Sequence, residues 1–208
     1  MRSAFISDFG GVLTSPLSEG FLAYQEESKV SLEELGAAMA RATETHGEHP
    51  LYVLERGEIS EREFAERLER ELPSGFSLTR LREVYFERLV PNAPMIAFAR
   101  ELRERGLRTA LLTNNVREWE PLWRAKLPEL DEIFEVVVDS AFVGLRKPDP
   151  RIYELTLERM GTVATECVFL DDLDVNCEAA RALGMHAVRF EDTSRAIEEI
   201  EAAVGALS

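Results

Sequence analysis

The sequence predicts an α/β protein, a doubly wound parallel sheet core with an inserted helical bundle. Three observations predict it. The chain opens on a short apolar run, Ala4 to Ser7, that ends in Asp8 and is followed by Gly10 and Gly11. Residues 17–90 then show helical spacing, with no stretch that alternates like a strand. From Pro94 onward, apolar runs of strand length alternate with helical stripes. That alternation implies right-handed crossovers and a parallel sheet covered on both faces.

Taken in order, the elements justify themselves locally. Ala4–Ser7 reads as a buried strand, and the glycines after it let the backbone turn tightly against a ligand. Ser31 with Glu34, and Ser60 with Glu63, fit the capping box of a helix start. Phe64, Leu68 and Leu72 share a helix face; Pro73, Ser74 and Gly75 stop it, and Leu78, Leu81, Val84 and Tyr85 begin the next. Met95, Phe98, Ala99 and Leu102 form a stripe that ends at Gly106. Thr109–Leu112 is a strand ending at Thr113, Asn114 and Asn115, and a Trp-containing helix follows. Phe134–Val138 is the next strand, and Asp149 and Pro150 open another helix as cap and first-turn proline. Cys167–Leu170 is a strand ending in Asp171 and Asp172, followed by a helix at Ala179–Leu183 that stops at Gly184. His186–Phe190 is the last strand, and Ile197, Ile200 and Val204 mark a closing helix.

Composition narrows the function. With 24 basic and 39 acidic residues the net charge is −15, which repels nucleic acid and anionic membrane. No apolar run approaches the roughly 20 residues of a membrane span. The N-terminus reaches Asp8 too soon for a secretory signal. Two cysteines, Cys167 and Cys177, give no disulfide framework and read as small buried apolar groups. The expectation is a reduced, cytoplasmic protein, monomer or homodimer, with Trp119 and Trp123 serving an interface or the core.

Four features fall at or just past the carboxyl ends of strands: Asp8, Thr113, Lys147 and the Asp171–Asp172 pair. In a parallel sheet these ends share one rim, where α/β proteins bind ligands. Three carboxylates brought together repel unless compensated, and a divalent cation with Lys147 brings their sum of −3 to zero. Oxygen-only ligands favour Mg²⁺ over zinc. Such a site suits a phosphoryl group held by Mg²⁺ and Lys147, with the Thr113 hydroxyl donating a hydrogen bond and Asp8 in line as nucleophile.

That set resembles the haloacid dehalogenase-like superfamily of hydrolases. DFGGVL at 8–13, LLTNN at 111–115, GLRKPDPRIY at 144–153 and FLDDLDVNCEAARALGM at 169–185 are similar to its four motifs, in order. The resemblance implies a Rossmann-like core, residues 1–13 plus 93–208, and a helical cap, residues 14–92, inserted after the first motif. It implies a Mg²⁺-dependent phosphohydrolase that forms an aspartyl-phosphate at Asp8 and acts on a small-molecule phosphate. Asp8, the Gly10 carbonyl and Asp172 would hold Mg²⁺, and Asp171 would hold metal waters or orient Lys147. Gly10, Gly11, Thr113, Asn114 and Lys147 would meet the phosphate.

One departure matters. Phosphatases of this family usually carry a general-acid Asp two residues after the nucleophile, and here that position is Gly10. A positioned acid contributes roughly 10²–10⁴ in rate. Acyl or aryl phosphates, which leave unprotonated, should suffer less than alkyl phosphates unless a Glu or His of the cap substitutes. Carbon–halogen hydrolysis tolerates Gly10 but is ill served by an acidic pair beside a departing halide. A site that binds phosphate without turnover is the other alternative.

Blander readings exist for each residue alone. Asp8 before glycines is a turn residue, Thr113 and Asn114 a strand-end turn, Lys147 an exposed lysine, and Asp171–Asp172 a helix start. Asn115 shapes its loop. Asp172, Asp174 and Asn176 open like a calcium loop, but Cys177 and Leu183 break the pattern. His46 and His49 lack further zinc ligands and read as the solvated end of a helix. Arg41, Tyr52 and Arg56 read as solvated.

Overall fold

The structure, a computed structural model, describes residues 2–28, 30–72, 77–78 and 80–205. The stop at Pro73, Ser74 and Gly75 lies outside the described residues. Five strands form one parallel sheet: β1 Ala4–Ser7, β2 Arg108–Thr113, β3 Val136–Asp139, β4 Cys167–Asp171 and β5 His186–Arg189, in the order β3-β2-β1-β4-β5. The fold class read from the sequence is the one observed.

Among the described residues, five helices separate β1 from the rest: α1 Leu17–Ser28, α2 Leu32–His46, α3 Pro50–Glu55, α4 Glu61–Glu69 and α5 Leu81–Arg88. Seven more follow: α6 Ala93–Glu104, α7 Glu120–Ala125, α8 Leu130–Ile133, α9 Ser140–Val143, α10 Pro150–Met160, α11 Asp174–Ala182 and α12 Thr193–Val204. Among the described residues no helix is long and apolar enough to cross a membrane.

Strand alternation sends apolar side chains to both faces of the sheet, as a buried parallel sheet requires. Phe5, Leu111, Val168 and Val188 join one cluster with Met95 and Leu102 of α6 and Ile200 of α12. Ile6, Ala110, Leu112 and Phe169 join another with Ile152 and Tyr153 of α10 and Ala180 of α11. Trp123 is buried in the first cluster and Trp119 packs against it, so both indoles serve packing. Cys167 and Cys177 are free and buried, as expected.

The first helices build a separate apolar cluster, from Tyr24 and Leu35 through Phe64, Leu68 and Val84, closed by Val116 from the sheet side. The chain leaves the sheet and returns to it side by side. Ser15 N donates to Val90 O at 2.7 Å, and Asn92 N to Leu13 O at 2.8 Å. Asn92 then caps α6 by accepting from Met95 N.

Some boundaries differ from expectation. Ser31 and Glu34 form a full capping box, but Ser60 forms half of one: its hydroxyl accepts from Glu63 N, while the Glu63 carboxylate turns to Arg67 at 2.6 Å. Phe134 does not begin a strand; it ends α8, and β3 starts at Val136. The helix placed at Ala179–Leu183 begins at Asp174, and the Trp-containing helix is a 3₁₀ turn, Arg117–Trp119, followed by α7.

Candidate active site

Asp8 stands one residue beyond β1, its backbone N–H donating to Leu170 O at 2.9 Å. β1 lies between β2 and β4, so Asp8 has Thr113 on one side and Asp171 on the other. Lys147 comes from the loop between α9 and α10. Its Nζ lies 2.8 Å from Asp8 Oδ1 and 2.6 Å from Asp171 Oδ2, and the side chain is 1% exposed. The default reading of an exposed lysine fails because two acids receive the ammonium. Its loop is clamped at two points: Lys147 N donates to Asn114 Oδ1 at 2.8 Å, and Asn114 Nδ2 donates to Lys147 O at 3.0 Å.

Asp171 is wholly buried and saturated. Its Oδ2 faces Lys147, while Oδ1 accepts from Leu173 N and Asn176 Nδ2, both at 2.9 Å. Asp172 is half-buried and remains open toward the cavity. Gly11 adopts φ +77°, and a Cβ there would stand 2.6 Å from Asp172 Oδ2. Only glycine lets the turn after β1 pass so close to that carboxylate. Asp8, Asp171 and Asp172 can each offer one oxygen within 4.8 Å of the others. Counted as ionised they sum to −3, and Lys147 leaves −2.

Burial, followed by the charges of Asp171 and Asp172 and opposed by Lys147, pushes the Asp8 pKa up to about 7 in the metal-free protein. Burial disfavours the Lys147 ammonium, but the Asp171 and Asp8 carboxylates more than offset it, and its pKa rises. Burial and then Asp171 raise Asp172. The cluster thus lacks positive charge, an amount that a divalent cation among its hard oxygen donors would supply.

A cavity of about 660 Å³ opens over these groups. Asp8, Gly10, Thr113, Asn114, Lys147 and Asp172 line one end, and side chains of α2–α5 line the other. Asn115 accepts from Val116 N through Oδ1, and its own N–H donates to Ser140 Oγ, so its contacts lie within the loop.

Two pairings went unread in the sequence. Arg146 binds Glu55 at 2.7 Å and lies over the Tyr52 ring, and Asn176 orients Asp171. Arg146 adjoins Lys147 in the GLRKPDPRIY stretch, which was the available signal. Of the acids in residues 14–92 that could stand in as proton donor, Glu55 and Glu61 reach the cavity, each paired with an arginine, Arg146 or Arg82. Arg41 and Arg56 pair with surface glutamates, whereas Tyr52 lines the cavity. His46 is exposed, and His49 stacks on Tyr52 with ring centres 4.5 Å apart, so it is not a solvated helix end.

Comparison with known proteins agrees. Acyl-CoA dehydrogenase family member 10 of Mus musculus is 32% identical over 209 residues, covering 97% of this chain but 19% of the relative. A phosphatase of Mycobacterium tuberculosis is 36% identical over 130 residues, 60% of this chain and 58% of the relative. The chain thus spans under two thirds of these relatives. A HAD family enzyme of Bacteroides thetaiotaomicron, crystallised with magnesium and inorganic phosphate, shares the fold with a TM-score of 0.68 at 23% identity, covering 94% of this chain and 98% of that one. A family model described as haloacid dehalogenase-like hydrolase matches residues 3–184. With that match over a five-stranded parallel sheet and an acidic rim, the chain belongs to the haloacid dehalogenase-like hydrolases.

Proposed function

We propose that the chain is a Mg²⁺-dependent phosphohydrolase working through an aspartyl-phosphate at Asp8, with residues 14–92 as a cap over the sheet rim. The observation that carries this reading is the Lys147 ammonium shared between Asp8 and Asp171, beside a third carboxylate, in a cluster still short of two positive charges. Asp8 and Asp172, with the Gly10 carbonyl, would hold Mg²⁺. Asp171 has both oxygens engaged, so its part is to hold Lys147 in place. The ion would neutralise phosphoryl oxygens and draw them toward Asp8.

The chain's own groups do the rest. Lys147 and the Thr113 hydroxyl hold phosphoryl oxygens, and Asn114 fixes the Lys147 loop. An Asp8 oxygen attacks phosphorus in line and the leaving group departs with its electron pair. Water then attacks phosphorus and frees Asp8. Gly10 offers no proton, so leaving groups stable as anions turn over fastest. The free buried thiols Cys167 and Cys177 suit a cytoplasmic setting. Carbon–halogen hydrolysis is disfavoured, because the residual charge of −2 opposes a departing halide.

Acetyl phosphate and p-nitrophenyl phosphate test the reading. Phosphate release that needs Mg²⁺, stops with EDTA and is lost in Asp8→Asn supports it. Release unaffected by EDTA, or no release above the Asp8→Asn control, overturns it.

A further inference from the structure

We infer that the phosphate taken at Asp8 carries an apolar chain, which lies inside the helical segment; this rests on the phosphohydrolase reading above. The cavity over Asp8, about 660 Å³, continues away from the carboxylates into the interior of α2–α5. Its far walls include Leu35 and Met39 of α2, Leu54 of α3, and Phe64 and Leu68 of α4. Leu35, Leu54, Phe64 and Leu68 are members of the buried cluster that holds these helices together.

That arrangement is unusual for a core. Protein interiors pack with few voids larger than a water molecule. A large space walled by a cluster's own side chains forfeits attractive contacts along every wall. Water restores little against leucine and phenylalanine, whereas a hydrocarbon restores most of it. The space falls within the roughly 300–1,000 Å³ that encloses a drug-sized ligand. A compact polar phosphate would fill only the acidic end.

The two ends therefore specify an amphiphile. One end offers Lys147, Thr113 and a seat for a cation; the rest of the lining is mostly apolar, and the two further acids on it, Glu55 and Glu61, are already held by Arg146 and Arg82. Gly10 narrows the linkage, because no acid stands there to protonate an alkoxide. A long-chain acyl phosphate meets both demands. Asp8 oxygen bonds to phosphorus as the phosphorus–oxygen bond to the acyl group breaks, and the electron pair leaves on a carboxylate needing no proton. Water then attacks phosphorus, the Asp8–phosphorus bond breaks, and the water's surplus proton passes to solvent. The products are a fatty carboxylate and inorganic phosphate.

The test is a chain-length series of acetyl, butyryl and octanoyl phosphate with Mg²⁺, kept below micelle formation. Rising kcat/KM is expected, about fourfold per methylene, from about 0.8 kcal/mol per buried CH₂ at about 1.4 kcal/mol per tenfold. Ala65, also on the wall, allows the cavity to be filled: Ala65→Trp should lower the octanoyl-to-acetyl ratio at least tenfold. A binding measurement independent of turnover keeps the test sound if that variant misfolds: Asp8→Asn should bind octyl phosphate far more tightly than ethyl phosphate. A flat chain-length series, or equal binding of octyl and ethyl phosphate, overturns the inference and leaves the phosphohydrolase reading standing. Failure to release phosphate from any member above the Asp8→Asn control removes both.

Discussion

The Arg146 guanidinium binds the Glu55 carboxylate at 2.7 Å while lying 4.0 Å from the centre of the Tyr52 ring. Arg146 adjoins Lys147, and Glu55 ends α3, so the pair ties the ammonium-bearing loop to the helical segment. Both side chains are more than four-fifths buried. Glu55→Ala strands a guanidinium, at a cost of about 2–3 kcal/mol, somewhat below the loss for a fully buried pair. Glu55→Leu combined with Arg146→Met should recover much of that stability. Urea unfolding of the single and double variants checks it; equal losses in both would show that the charge pair is not the cause.

Magnesium binding should depend on pH through Asp8. In the metal-free protein its pKa stands at about 7, well above an ordinary carboxylate, so below that pH a proton competes with the ion. Affinity measured by calorimetry should rise about tenfold per pH unit up to neutrality and then level off. Asp8→Asn should abolish that slope. A pH-independent affinity in the parent protein would contradict the displaced proton.

The paired glycines should respond in opposite ways. Gly11→Ala places a side chain in left-handed backbone and against Asp172 Oδ2, so stability should fall by about 1–3 kcal/mol and Mg²⁺ affinity with it. Gly10→Asp places an acid where the resemblance to the family implies one. Turnover of alkyl phosphates should rise by up to ~10²–10⁴, with acyl phosphates little changed. Steady-state rates on both classes decide it, since a gain on acyl phosphates alone would point away from proton donation.

Asp139 gives a stability test outside the site. It caps α9 by accepting from Ala141 N, and burial, partly opposed by that N–H, pushes its pKa up to about 6. A carboxyl group raised in the folded state holds its proton more tightly there than in the unfolded chain. Its contribution is therefore full below about pH 4 and is lost as pH rises through about 6, a change of about 2–3 kcal/mol. Asp139→Asn removes that dependence. Unfolding free energies of the two proteins should draw apart over this window, and parallel curves would refute the assignment.

The sheet was legible because β1, β2 and β4 are apolar runs with acids or threonine at their ends, and each strand met a matching helical stripe. The four-residue helices α8 and α9 were not, since so short a turn has no period to read. Phe134 continues an apolar run that reads as strand, although it closes α8. The start of α11 at Asp174 lies ahead of the apolar stripe Ala179–Leu183 that marks the helix in the sequence. Asp8, Asp171 and Asp172 were legible as strand-end acids. The burial of Lys147, and the Arg146–Glu55 pair, were not, because each depends on a partner supplied by a distant element.

Because β1 lies at the centre of the sheet, it gains both neighbours only after much later parts of the chain have been made. Ala4 pairs with Arg108 on one side and with Cys167 on the other. At about 5–20 residues per second, roughly ten to thirty seconds of translation separate Ala4 from Cys167. Throughout that interval β1 is an open template, and the helices emerging after it are the first material able to shield it.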